Sequence, residues 1–167
     1  MIWKFPDNIN TDFISPARFN LISSLEGDSK ELAKIAFIEY RPEFAKGVKE
    51  GDIIAAGWNF GCGSSRESAA MALKACGLRA VLAKSFARIF YRNAMNAGLR
   101  CINVDTDGID ESDEIELDIP GSRVINRTKG TELPFATDPV SKRIIDEGGI
   151  ISYLRKNGLD SLEGLLQ

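Results

Sequence analysis

The chain has 167 residues, 44% of them hydrophobic and 27% charged, a composition that suits one globular unit spanning 1–167 with its own core. A net charge of −3 gives no electrostatic reason to expect nucleic acid or an anionic membrane as partner, and no apolar run approaches the ~20 residues that span a bilayer. With no histidine, the chain alone cannot build a Ser-His-Asp or Cys-His arrangement, and Cys62, Cys76 and Cys101 are spaced too widely for a disulfide framework or a metal cluster.

Residues 2–5 read as a short strand behind a start that lacks a basic-then-apolar leader, so a cytoplasmic protein is expected. Asn10 to Ser24 reads as an ordered loop in which Pro16 breaks any helix. Lys30 to Phe37 has helical periodicity, with Leu32, Ile35 and Ala36 on one face and Asp28 or Ser29 as N-cap. Gly51-Asp52 turns into a strand, Ile53 to Ala56. A helix is expected from Ser64 to Cys76, stopped by Gly77, and then a buried strand over Arg79 to Lys84. Ser85 is expected to cap a helix from Phe86 to Asn96, closed by Gly98, and Cys101 to Val104 is a third strand. Strand, helix, strand, helix, strand at short spacing implies a parallel sheet. Glu114 to Ile119 alternates apolar and acidic residues, and Pro120-Gly121 turns it into Arg123 to Ile125 as a hairpin. Residues 139–157 form a last helical stretch, interrupted at Gly148-Gly149. The fold class is α/β with an added β section.

The most informative stretch is Gly57-Trp-Asn-Phe-Gly-Cys-Gly-Ser-Ser-Arg-Glu-Ser68. A strand, a glycine turn and a helix start would point free N–H groups and a positive dipole end outward, and Arg66 adds a charge that grips a carboxylate or phosphate through two parallel bonds. Ser64-x-x-Glu67 fits a capping box, worth ~1 kcal/mol, but that leaves Gly61, Gly63 and Arg66 without a reason. A dinucleotide fingerprint fails because Arg66 stands where the third glycine belongs, a phosphate loop fails for want of Gly-Lys-Ser/Thr, and the nucleophile elbow does not match. What remains is an anion-gripping turn that presents a serine hydroxyl.

Gly61-Cys-Gly-Ser-Ser-Arg-Glu67, followed by Lys84-Ser-Phe-Ala-Arg-Ile-Phe-Tyr-Arg-Asn-Ala94, resembles the aconitase superfamily, and most closely the small subunit of its isopropylmalate dehydratase and homoaconitase group. The resemblance continues at Asn10 to Arg18, Arg41 to Lys46 and Gly148 to Leu154. It implies a swivelling β/β/α domain with a short parallel sheet. It implies a partner large subunit that holds a 4Fe–4S cluster and the catalytic histidines, with no cofactor in this chain. It also leaves a homo-oligomer of the isolated chain as an option.

By the resemblance, Ser64 is the base that takes a proton from the carbon beside a carboxylate, while Ser65 and Arg66 bind substrate carboxylate. Asp12, Gly61, Gly63, Glu67 and Arg88 support the site. Asp12 reads equally as the start of an Asx-turn, and Arg88 and Arg92, four apart on one helix face, read more readily as structural partners of acidic neighbours than as site residues. Substrate choice in the group is attributed to the loop that here runs Arg18-Phe19-Asn20-Leu21-Ile22-Ser-Ser24. Its apolar character fits 2-isopropylmalate, while homocitrate or homoaconitate, citramalate and dimethylmalate remain alternatives, since one or two methylenes discriminate by only ~1–3 kcal/mol. The family often has a histidine where this chain has Ser68. A carboxylate-binding module without catalysis is the reading from another class.

Overall fold

The computed structural model of the chain describes residues 1–19 and 29–161. Four short strands, β1 (Ile2–Phe5), β2 (Ile53–Ala56), β3 (Ala80–Ala83) and β4 (Cys101–Asn103), pair in that order, all parallel. The register sets Ile2 beside Ile53 and Ile53 beside Ala80, with Val81 beside Cys101. The inner strands β2 and β3 are buried along their whole length. Their runs Ile-Ile-Ala-Ala and Ala-Val-Leu-Ala carry no polar residue because both faces are covered.

Successive side chains point to opposite faces, so the two covers can be read from alternate residues. Trp3, Phe5, Ile54, Ala56, Val81 and Ala83 turn to a helical layer. Its members are α1 (Thr11–Ile14), α2 (Ser29–Ile35), α3 (Pro42–Gly47), α4 (Ser68–Ala75) and α5 (Arg88–Ala97). An aromatic cluster closes this side, with Phe5 stacked on Phe37 at 4.3 Å and Phe44 edge-on to Trp3 at 5.0 Å. Ile53, Ala55, Leu82, Ile102 and their neighbours turn instead to an antiparallel sheet, β5 (Ile115–Asp118), β6 (Arg123–Asn126) and β7 (Thr131–Pro134), through Leu117 and Val124. The result is the expected helix, sheet, sheet arrangement. Two further helices, α6 (Pro139–Asp146) and α7 (Ile150–Asn157), pack on α5. Among the described residues no helix is long and apolar enough to cross a membrane.

Several expectations need correction. The helix expected from Ser64 starts at Ser68, with Glu67 at its N-cap making no side-chain bond, so the capping box does not form. Ser64 is drawn into tertiary contacts instead, described below. Ser85 is not a cap either: α5 starts at Arg88 behind Ala87, and the Ser85 hydroxyl accepts from the Asn59 N–H at 2.8 Å. The 10–24 loop holds the short α1, N-capped by Asn10, whose side chain accepts from the Asp12 N–H. Helix α2 ends at Ile35, two residues short of the expected Phe37, which adopts a positive φ of 58°. Asp28 lies outside the described residues, and nothing is described of the Ser29 side chain. The sequence did not announce α3 or the exposed edge strand β7. Gly98 does close α5 in a left-handed conformation, and the final helical stretch is split at Gly148-Gly149.

One polar group ties the start of the parallel sheet together. The buried Asp52 carboxylate accepts from the Trp3 indole N–H at 2.9 Å, the Lys49 N–H at 2.9 Å and the amino terminus at 2.8 Å. Burial works against its charge, yet the amino terminus, Trp3 and Lys49 outweigh burial and hold its pKa below the ordinary value. Asp52→Ala is expected to cost about 2 kcal/mol at pH 7, because it strands the buried indole N–H. A carboxyl with a depressed folded pKa contributes stability above its unfolded pKa, about 3.9, and loses it as pH falls through the lower folded value. The gap between wild type and Asp52→Ala in urea denaturation should therefore narrow from pH 7 to pH 3.

Candidate functional site

The polypeptide leaving β2 does not part from its neighbours at the strand end. On one side the Asn8 N–H donates to the Trp58 carbonyl at 2.8 Å, the Gly61 and Cys62 N–H groups donate to the Ile9 carbonyl, and the Thr11 N–H donates to the Cys62 carbonyl at 2.7 Å. On the other side the Lys84 N–H donates to Gly57, the Phe60 N–H to Ser85, and the Ala87 N–H to Phe60. The glycine turn is thus stitched between the segments that follow β1 and β3, at the carboxyl edge of the parallel strands. Ligands of open α/β sheets bind at that edge.

Gly61 and Gly63 are required here for space as well as for backbone angle. A Cβ on Gly61, at φ 78°, would lie 2.1 Å from the Phe90 ring, and one on Gly63, at φ 100°, would lie 2.4 Å from Asn10 Oδ1. Their absence of side chain lets the turn press against α5 on one flank and the start of α1 on the other.

Each of the next three residues is then held by one bond from elsewhere in the chain. The Ser64 N–H donates to the hydroxyl of Thr11, a fully buried residue, at 2.9 Å. The Ser65 carbonyl accepts from Asn93 Nδ2 on α5 at 3.1 Å. The Arg66 guanidinium donates through Nη2 to the Asp12 carboxylate. Within the turn, the Arg66 N–H donates to Ser64 Oγ at 3.3 Å. An N–H donated to the serine oxygen favours negative charge there. The Arg66 Nε and the Ser68 hydroxyl are inaccessible and have no hydrogen-bond partner among the described residues.

The structure therefore brings together Asp12, Gly61, Gly63, Ser64, Ser65 and Arg66. It leaves Ser64 half-buried and Ser65 exposed. Glu67 is exposed at the entry to α4. Arg18 pairs with Glu39 at 2.5 Å and lies over the Phe19 ring. Asn20 and Leu21 lie outside the described residues. Arg88 is exposed on α5 and, like Arg92, makes no hydrogen bond or ion pair with a described residue. The Asx-turn at this place belongs to Asn10, not Asp12. Thr11 and Asn93 were missed as site residues, although both lie inside motifs that the sequence displays.

Other chemistry at this edge is limited. Lys84 sits against Asp107 at 2.5 Å and Asp105 at 3.8 Å, and the Asp107 carboxylate pushes its pKa up. It stays an ammonium and makes a poor base for a serine nucleophile. Burial pushes the Cys76 thiol up to about 12 and raises that of Cys101 as well, so neither is a ready thiolate ligand. Among the described residues no group of three or more Cys, Asp or Glu side chains is placed to hold a metal ion. The donor set of this chain does not fit an iron–sulfur cluster.

Residues 22–107 match the family model of the aconitase C-terminal domain. The 3-isopropylmalate dehydratase small subunit 2 of Archaeoglobus fulgidus is 50% identical to the chain, over 93% of each sequence. The 3-isopropylmalate dehydratase small subunit of Methanosarcina mazei is 51% identical over 92% of this chain and 94% of the relative. The methanogen homoaconitase small subunit of Methanothermobacter thermautotrophicus is 44% identical over 98% and 95%. Among solved structures, 3-isopropylmalate dehydratase from Methanocaldococcus jannaschii superposes with a TM-score of 0.87 at 41% identity, covering 98% of this chain and 96% of that one.

The Thr11 bond makes a direct prediction. Thr11→Val keeps the shape but removes the acceptor, which should cost the Ser64 amide about 1–3 kcal/mol of local stability. Amide hydrogen exchange at Ser64 should accelerate in Thr11→Val and stay slow in Thr11→Ser, where the hydroxyl remains.

Proposed function

Because the chain belongs to the aconitase C-terminal domain family, in its group of 3-isopropylmalate dehydratase and homoaconitase small subunits, we propose that it is the small subunit of a two-chain hydro-lyase interconverting 2- and 3-isopropylmalate. The observation that carries the reading is the anchoring of Ser64, Ser65 and Arg66 at the sheet edge, one bond each from Thr11, Asn93 and Asp12.

In this reading Ser64 Oγ takes the proton from the carbon beside a substrate carboxylate. Negative charge then builds on that carboxylate in its aci form. Arg66 and the Ser65 hydroxyl hold it, so their contribution grows as the charge develops. The Arg66 N–H bonded to Ser64 Oγ lowers the cost of the alkoxide. The same oxygen returns the proton on rehydration. Since the thiols here do not fit a cluster, the 4Fe–4S group of the family belongs to the large subunit, where it supplies Lewis-acid chemistry at the departing hydroxyl.

The substrate assignment rests on the 18–24 loop. Phe19, Leu21 and Ile22 are apolar, and the one cation, Arg18, already has Glu39 as its partner. A second distal carboxylate, as in homocitrate, would find no free positive charge on that segment, whereas an isopropyl group needs none. The resemblance to a homoaconitase small subunit makes homocitrate the competitor to test.

Reconstituted with an iron–sulfur large subunit, the chain should convert 2-isopropylmalate in preference to homocitrate, citramalate and dimethylmalate. Ser64→Ala should assemble normally yet lose about 10²–10⁴ in turnover, the range for removing a positioned proton-transfer group. Robust turnover in Ser64→Ala overturns the base assignment, and preference for homocitrate overturns the substrate.

A further inference from the structure

A second feature of the same edge is not used by the chemistry above. Between α5 and α6 lies a cleft of about 680 Å³. Phe86, Tyr91, Met95 and Val140 give it apolar walls, and Arg88 and Arg92 place two guanidinium groups on it. These arginines are four residues apart, so they are neighbours on one helix face. Neither has a hydrogen-bond or ion-pair partner among the described residues. Asp138 also lines the cleft; its Oδ2 accepts from the Ser141 N–H at 2.8 Å and hydroxyl at 2.6 Å as the cap of α6, and it forms no ion pair with either arginine. Other arginines pair locally, such as Arg41 with Glu43 and Glu111, Arg100 with Asp146, and Arg123 with Asp118 and Glu132, while Arg79, Arg143 and Arg155 share with the α5 pair the lack of an ion-pair partner among the described residues. What sets the α5 pair apart is its place, two arginines on one helix face along a partly apolar cleft.

The place of the cleft decides between occupants. Arg88 opens α5 just after β3, and Asn103, which also lines the cleft, ends β4. The cleft therefore opens at the carboxyl edge that carries Ser64, and the next turn of the same helix holds the Ser65 carbonyl through Asn93. Ile89, next to Arg88 on α5, is 53% exposed. A large subunit that closes over Ser64 and Arg66 therefore meets an edge that also carries this cleft. We infer that the Arg88–Arg92 cleft seats a segment of the large subunit that carries carboxylates beside apolar side chains. The guanidinium groups take the carboxylates in paired hydrogen bonds, and Met95 and the aromatic rings receive the apolar flanks. The inference rests on the two-chain reading of the previous section.

The test titrates the reconstituted large subunit against wild type, Arg92→Glu and Arg88→Glu/Arg92→Glu, with sedimentation velocity as a second readout. Juxtaposed like charges and lost steering should raise Kd about tenfold or more in the double variant and flatten its dependence on salt. The milder Arg88→Ala/Arg92→Ala variant should fall between, and melting curves of each isolated chain check that it has folded. Unchanged Kd in both reversals overturns the inference while leaving the function intact, provided wild type assembles and turns over 2-isopropylmalate. Failure of wild type to assemble with the large subunit overturns both. Self-association of the isolated chain abolished by the reversals, or saturable citrate binding lost with them, would assign the cleft to a second copy or to a small carboxylate and overturn the inference as stated.

Discussion

Everything at the candidate site depends on backbone pairing that continues past the ends of the parallel strands. The chain between Gly57 and Cys62 bonds on one side to residues 6–11 and on the other to residues 84–87. A four-residue strand such as β2 is short, and on its own it would leave the following turn free to sample many conformations at about 1–2 kcal/mol per residue of entropy. The extended ladder removes that freedom before any side chain acts. Gly61 and Gly63 are the condition for it, because a Cβ at either position would drive Phe90 or Asn10 away. The side-chain bonds from Thr11, Asn93 and Asp12 then fix three consecutive residues on an already rigid base.

Much of the sheet was legible because burial on both faces demands unbroken apolar runs, and Ile53 to Ala56 and Ala80 to Ala83 are such runs. Helix α5 was legible in its body and at its Gly98 end, but its start was misread. Ser64 and Ser85 show why. Each is a good N-cap by local chemistry, yet Ser64 gives its N–H to a residue 53 positions away, and the Ser85 hydroxyl serves the Asn59 N–H. Local capping is worth about 1 kcal/mol, and tertiary contacts of that size displace it. Edge strand β7 was not seen because three of its four residues are exposed and it carries no alternation. At the site itself, Ser64, Arg66 and Asp12 could be named from their motifs. Thr11 and Asn93 could not, since a threonine or an asparagine acquires its role only from the backbone group that the fold brings to it.

The ion pair between Arg66 and Asp12 is a case where energy and function separate. Its members are 38% and 55% exposed, and pairs of that kind contribute at most about 1 kcal/mol. The fold therefore does not need it for stability. What it does is orient a planar fork with five N–H donors, of which Nη2 is held by Asp12 while Nε is buried without a partner among the described residues. A guanidinium held by one edge presents its remaining donors in a fixed direction, so a carboxylate arriving there loses less entropy than it would on a free arginine. Asp12 also tempers the charge, which under the proposed function would favour release of a dianionic product over permanent capture.

The same reasoning separates the two ends of the substrate. Under the proposed function, the partly compensated arginine at the turn would meet a carboxylate whose charge grows during the reaction, so the attraction would strengthen where it lowers the barrier. At the 18–19 segment, Arg18 is compensated by Glu39 and covers the Phe19 ring, so the surface offered there combines an aromatic face with a balanced pair. To recruit a second carboxylate, Arg18 would first have to leave Glu39, and an exposed pair re-formed with the substrate gains little over the one broken. An alkyl group meets no such exchange. It gains about 25 cal/mol for each Å² of apolar surface removed from water, in the ground state and the transition state alike. Under the proposed function, discrimination at that end would be expressed as binding, while the turn would act on the rate. The proposed division puts affinity for the side chain and catalysis at the reacting carbon on two segments of one fold, so that each could change without disturbing the other.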